Sequence, residues 1–143
     1  MGGVIVGIDH SDASARVLGW ALAEAELRGT RLTVVRVIDP VRNNVFVTYP
    51  NNRGSTDAEL AATRADLDDL LAKVVADRGI PAAVEVENRA VVGDVAFELL
   101  RAAADGDLLV VGARGIGSLR RAFLGSVSST VVHHSRGPVT VVP

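Results

Sequence analysis

The chain has 143 residues, 48% of them apolar and 22% charged, with a formal net charge of −2. That is enough chain for one core without staples, and the composition is that of a folded domain rather than a disordered one. The absence of cysteine excludes a disulfide framework, a thiol nucleophile and cysteine-ligated zinc or iron–sulfur sites. The near-neutral charge argues against a nucleic-acid coat or a basic membrane patch. No apolar run reaches the ~18 residues that span a membrane, and Met1-Gly2-Gly3-Val4 lacks the basic start of a signal peptide. The expectation is a cytoplasmic single domain over residues 1–143, with neither nucleic acid nor membrane as partner.

Val4 to Asp9 is a continuous, β-branched apolar run, the signature of a strand buried on both faces. Ser11 or Asp12 then offers a helix N-cap. Val17, Leu18, Ala21, Leu22 and Ala25 recur at helical spacing, with Gly29 placed as the C′ residue. Leu32 to Ile38 reads as a second strand, broken only by Arg36. Residues 39–56 hold two prolines, a glycine and four asparagines without any period; they read as a long loop, either a functional lid or a variable insertion. Thr56-Asp57-Ala58-Glu59 fits a capping box ahead of a helix with Leu60, Leu67, Leu70, Leu71, Val74 and Val75, ended by Gly79 and Pro81. Ala83 to Glu87 alternates as a half-exposed strand. Gly93-Asp94 opens a third helix, Leu108 to Val111 is the most apolar strand, and a glycine-bearing loop over 112–125 leads into a last helix of about ten residues. Gly137-Pro138 stops it before a final strand, Val139 to Val142. The order βαβαβαβαβ predicts an α/β sandwich with a parallel sheet and helices on both faces.

In such sheets ligands sit beyond the carboxyl ends of the strands, where the strand order reverses. Two strand ends carry chemistry here: Asp9 after the first and Gly112 after the fourth. The loop GARGIGSLRRAFLGS places glycines at 112, 115, 117 and 125, with Ser126 next. Gly112 and Gly115 can adopt φ > 0 and let backbone N–H groups close on an anion. Gly125-Ser126 opens a helix whose free N–H groups and dipole suit a phosphate, with Ser128, Ser129 and Thr130 close by. The same glycines would also serve a plain turn with Ser126 as a cap. Asp9 is placed to accept from a ribose or to hold a metal near phosphates, or simply to cap the first helix with Ser11. Arg114 can reach a phosphate or lie in solvent.

Other nucleotide folds fail on their own motifs. No GxGxxG follows the first strand, and Walker A requires a lysine that the chain, whose only lysine is Lys73, does not have there. GxSxG is absent, and His10, His133 and His134 match no metal spacing. With aromatic residues at 3%, a flavin has little to stack on.

The run Gly112-x2-Gly115-x9-Gly125-Ser126, with Val110-Val111 before it, Val127 after it and Asp9 at the end of the first strand, resembles the signature of the ATP-binding universal stress proteins. Ser11-x2-Ser14 with Trp20-Ala21 is similar to that family's first helix, and the likeness runs over residues 4–142 apart from the 39–56 loop. The resemblance implies a Rossmann-like three-layer sandwich, a five-stranded sheet of order 3-2-1-4-5 with about four helices. It implies ATP, or AMP or ADP, with Mg2+: adenine near Val37 and Ile38, Asp9 toward the ribose or metal, and phosphates wrapped by Gly112, Gly115, Gly125, Ser126 and Val127, with Val111, Arg114 and Ser128 also counted among the nucleotide-binding residues. It further implies a stress-response regulator acting as a homodimer through residues 138–142, with no assigned catalytic residue and at most weak ATP hydrolysis. Departures from the pattern are Ser118 where many relatives have glycine and Arg36 where some have histidine. A nucleotide-free dimerising adaptor of the same fold, or a slow ATPase, is the alternative.

Overall fold

The computed structural model describes residues 2–40, 57–113 and 124–143, and the backbone alone over 53–56. The elements in chain order are β1 (Val4–Gly7), α1 (Ser14–Arg28), β2 (Leu32–Ile38), α2 (Arg53–Arg78), β3 (Val86–Val92), α3 (Val95–Ala102), β4 (Leu108–Gly112), α4 (Ser126–His134) and β5 (Val139–Val142). All strand pairs are parallel, in the order β3-β2-β1-β4-β5. The predicted α/β architecture and strand order are those observed, with four helices among the described residues.

Alternation of side chains along each strand divides the core into two layers. On one face Val4, Val6 and Ile8 of the β1 segment, Leu32 and Val34 of β2 and Leu108 and Val110 of β4 pack on Val17, Leu18, Ala21, Leu22 and Ala25 of α1 and on Leu67 and Val74 of α2. On the other, Ile5, Val35, Leu109 and Val111 pack on Ala96 and Leu99 of α3 and Val131 of α4. Gly7 lets α3 settle onto the sheet: a Cβ there would stand 2.7 and 2.9 Å from the two methyl groups of Leu99.

Two helix stops behave as the sequence predicts. Gly29 (φ 66°) closes α1 in the left-handed region, with Gly29 N–H donating to Glu26 and Thr30 N–H to Ala25; Gly79 (φ 72°) ends α2 in the same way. Asp94 caps α3, its side chain accepting from Phe97 N–H at 3.0 Å.

Four boundaries differ from expectation. The third strand runs over Val86–Val92 rather than Ala83 to Glu87. Its seven residues pair with the whole of β2, Leu32↔Val86 to Ile38↔Val92, and cross-strand pairing overrides the weak strand propensity of Asn88 and Arg89. Helix α2 starts at Arg53, so the Thr56–Glu59 box lies inside it and does not begin it. Helix α1 begins after Ala13 with no side-chain cap; neither Ser11 nor Asp12 caps it, because the turn is organised around Asp9 instead. Gly112 is the last residue of β4, in register with Val142, and so is extended strand rather than a left-handed turn.

Candidate functional site

β1 lies between β2 and β4, and the chain runs outward from it in both directions, so the reversal of strand order falls between β1 and β4. Val6↔Val110 pairing puts the two segments that leave these strands, at Asp9 and at Ala113, side by side at the carboxyl end of the sheet.

The β1 segment extends past Gly7 through Ile8, whose N–H donates to Val35 at 2.9 Å. Asp9 then turns the chain. Its Oδ1 accepts from Ser11 N–H at 2.8 Å and from the Ser14 hydroxyl at 3.3 Å, while its carbonyl accepts from the same hydroxyl at 2.7 Å and from Arg36 Nη2 at 2.9 Å. One carboxylate oxygen, Oδ1, is thus fixed from within the protein.

At β4 the chain departs at Ala113 and returns at Gly125. Ala113 N–H donates to Val142, and the Ala113 carbonyl accepts from Gly125 N–H at 2.6 Å and from the Ser128 hydroxyl at 2.8 Å. Gly125 is the extended N-cap of α4 (φ −68°, ψ 170°) and brings no side-chain acceptor. The first helical bond is Ser129 N–H to Gly125 O, 2.9 Å, so the N–H groups of Ser126, Val127 and Ser128 have no acceptor within the helix and carry its positive pole. Ser126 is exposed and Ser128 is 2% exposed. The Ser128 hydroxyl is committed to the Ala113 and Gly125 carbonyls; what it offers outward is its backbone N–H.

Val37 and Ile38 end the neighbouring strand, with Ile38 O accepting from Gly93 N–H at 3.0 Å. Val111 is buried among the α3 and α4 side chains. Arg114 and Gly115 lie outside the described residues. Asp9 thus follows β1 and Gly112 ends β4 on adjacent strands, the start of α4 at Gly125–Ser128 is tied to Ala113 at the end of β4, and Val37 and Ile38 end β2, the strand on the other side of β1.

Behind Asp9, on the α1/α2 face, opens a cleft of about 340 Å³ lined by Asp9, Ser14, Arg36, Asp66 and Lys73 among others. Sequence reasoning missed this side, because Arg36 and Lys73 come from β2 and α2 and nothing in their spacing links them to Asp9. The one available signal was a charged residue, Arg36, interrupting an apolar strand. Arg36 is only 6% exposed and its Nε has no hydrogen-bond partner. Burial lowers its pKa, and the charges of Asp66 and Asp9 act against that. Among the described residues no three His, Asp or Glu side chains are grouped to hold a metal ion, and no helix is long and apolar enough to cross a membrane.

The sequence model of the Universal stress protein family matches residues 1–143. A universal stress protein of Mycolicibacterium smegmatis is 34% identical over 147 residues, covering 98% of this chain and 47% of its own; one from Mycobacterium tuberculosis is 33% identical over 141 residues, with coverages of 98% and 47%. The chain thus spans about half the length of the curated relatives it matches. Among solved structures, UspA from Lactobacillus plantarum superposes with a TM-score of 0.77 at 24% identity, over 99% of this chain and 97% of that one. A universal stress protein in complex with cAMP gives 0.65 at 26% identity, over 99% and 95%. On the family match across its length and these relatives, the chain belongs to the universal stress protein family.

Proposed function

We propose that the chain is an adenine-nucleotide-binding regulatory domain, a single domain over residues 1–143 that takes ATP, or AMP or ADP, at the carboxyl end of β1 and β4. The observation that carries this reading is the pairing of opposites at the strand-order reversal: N–H groups at the start of α4 with no acceptor within the helix, tied to the end of β4, and after the neighbouring strand β1 a carboxylate whose Oδ1 is fixed by Ser11 and Ser14. The first suits phosphate and the second suits ribose hydroxyls. The relative at 26% identity that was solved with cAMP supports an adenine nucleotide as the ligand.

Ser126, Val127 and Ser128 would present backbone N–H groups to the phosphates, with Arg114, Gly112, Gly115 and Gly125 completing the wrap. Val37 and Ile38 would border the base through aliphatic surface. Mg2+ bound here would arrive with the phosphates and take Asp9 as a single protein carboxylate, the usual habit of that ion. No side chain is assigned a catalytic role. The sheet ends at β5, a four-residue edge strand whose outer backbone groups suit pairing with a second copy, so the assembly proposed is a homodimer through 138–142, working in the cytoplasm.

Mass spectrometry of ligand released from purified protein, followed by calorimetry with ATP, AMP and cAMP, tests the reading. An adenine nucleotide is expected to be released, with measurable heat on titration. No co-purifying nucleotide and no heat at millimolar ligand would leave the nucleotide-free adaptor as the better account.

A further inference from the structure

We propose that Arg36 and Ser14 are positioning residues for Asp9: together they hold its main chain and one carboxylate oxygen so that Oδ2 alone faces the nucleotide. The inference rests on the reading of Asp9 as the ribose ligand and extends it to two residues behind the site.

Three donors converge on a single residue. Ser14 Oγ reaches both the carbonyl (2.7 Å) and Oδ1 (3.3 Å) of Asp9, Arg36 Nη2 reaches the carbonyl (2.9 Å), and Ser11 N–H reaches Oδ1 (2.8 Å). Ser14 and Arg36 are both buried. Neither is explained by packing. Ser14 is the first residue of α1, the cap position itself being Ala13, and its buried hydroxyl spends its bonds on Asp9, with 2.7 Å to the carbonyl and 3.3 Å to Oδ1. Arg36 interrupts the apolar run of β2 and its side chain lines the cleft with Asp9, Asp66 and Lys73, within reach of the Asp66 and Asp9 charges but with its Nε unpaired. A buried charge with an unmet donor is costly, and a well-packed apolar residue of similar length would be cheaper. The charge is retained where its one described bond lands on the main chain of Asp9, and features that break local rules tend to mark working sites. Fixing that carbonyl and Oδ1 removes the rotational freedom about χ1 and χ2 that a free aspartate would lose on binding.

The test is a double-mutant cycle read with AMP and with its 2′,3′-dideoxy analogue, which keeps base and phosphate but presents no ribose hydroxyl to Asp9. Ser14→Ala and Arg36→Met are each expected to weaken AMP about tenfold and to leave the dideoxy compound unchanged; Ser14→Thr, which keeps the hydroxyl, is expected to restore AMP binding. In an Asp9→Ala background neither change should weaken AMP further. Arg36→Met keeps an unbranched apolar stem and leaves the Asp9 carbonyl bonded to Ser14, so the fold is expected to persist; a shifted Ser11 amide resonance in each variant would report the loosened Asp9 turn without any ligand. Equal loss of both nucleotides, effects that add to Asp9→Ala, or an unmoved Ser11 amide would overturn the inference. If the unaltered protein binds neither nucleotide, the nucleotide reading itself falls, which the Ser11 amide distinguishes from a failure of the positioning claim.

Discussion

Replacing Gly7 by alanine tests how the sheet brings Asp9 to its place. The added methyl would meet Leu99 Cδ1 at 2.7 Å and Cδ2 at 2.9 Å. Leu99 is buried in the layer formed with Ile5, Val35, Leu109 and Val131, so it has little room to retreat, and overpacking of this kind costs about 1–3 kcal/mol. Against this, alanine lowers the entropy of the unfolded chain relative to glycine and recovers about 0.5–1 kcal/mol. The net expectation is destabilisation by about 1–2 kcal/mol, a fall in Tm of roughly 2–6 °C for a chain of this size. The assay is urea unfolding of four proteins: unaltered, Gly7→Ala, Leu99→Ala and the double variant. Leu99→Ala alone should cost about 2–5 kcal/mol through its cavity, but in the double variant the new methyl partly fills that space. The double variant should therefore be more stable than the sum of the single effects predicts, by at least about 1 kcal/mol. Additivity, or a Gly7→Ala protein more stable than the parent, would refute the close-approach argument.

The Arg78 guanidinium clasps Glu26 with two bonds, 2.6 and 2.8 Å, and Ala83 N–H adds a third at 2.7 Å, which holds the Glu26 carboxyl at a pKa of about 2. Because the folded value lies below the unfolded one, the contribution is complete above pH 4.5 and is lost as pH falls toward 2. Glu26→Gln should lower stability by about 1 kcal/mol at neutral pH, solvent screening limiting the effect, and the difference in urea midpoint from the parent should shrink in acid. Asp94→Ala removes the acceptor for Phe97 N–H and should cost about 1 kcal/mol, read by thermal unfolding, with Asp94→Ser recovering most of it.

The α/β order and the sheet were legible because buried parallel strands write themselves as unbroken apolar runs, and Gly29, Gly79 and Asp94 mark helix ends by local chemistry alone. The limits of β3 were not legible: Asn88 and Arg89 lie in that strand because β2 pairs with them, a fact about the neighbour rather than the segment. The same reason hid Arg36 and Ser14. Asp9 and the Gly125–Ser126 helix start could be found because each carries its signal within a few residues. The donors that hold Asp9 come from another strand, at Arg36, and from the first turn of α1, at Ser14.

The three bonds at Ala113 have a consequence for how this domain can vary. The Ala113 carbonyl joins to Gly125 N–H and to the Ser128 hydroxyl, and Ala113 N–H joins to Val142. The chain leaves and re-enters the fold through one knotted pair of residues, so the ends of the stretch between them are held together independently of what lies in that stretch. Its length and composition can change at the modest entropic cost of a longer closed segment, while the start of α4 and the end of β4 keep their positions. A sheet-and-helix frame of this kind can take a new stretch of chain at this point with its core left as it is.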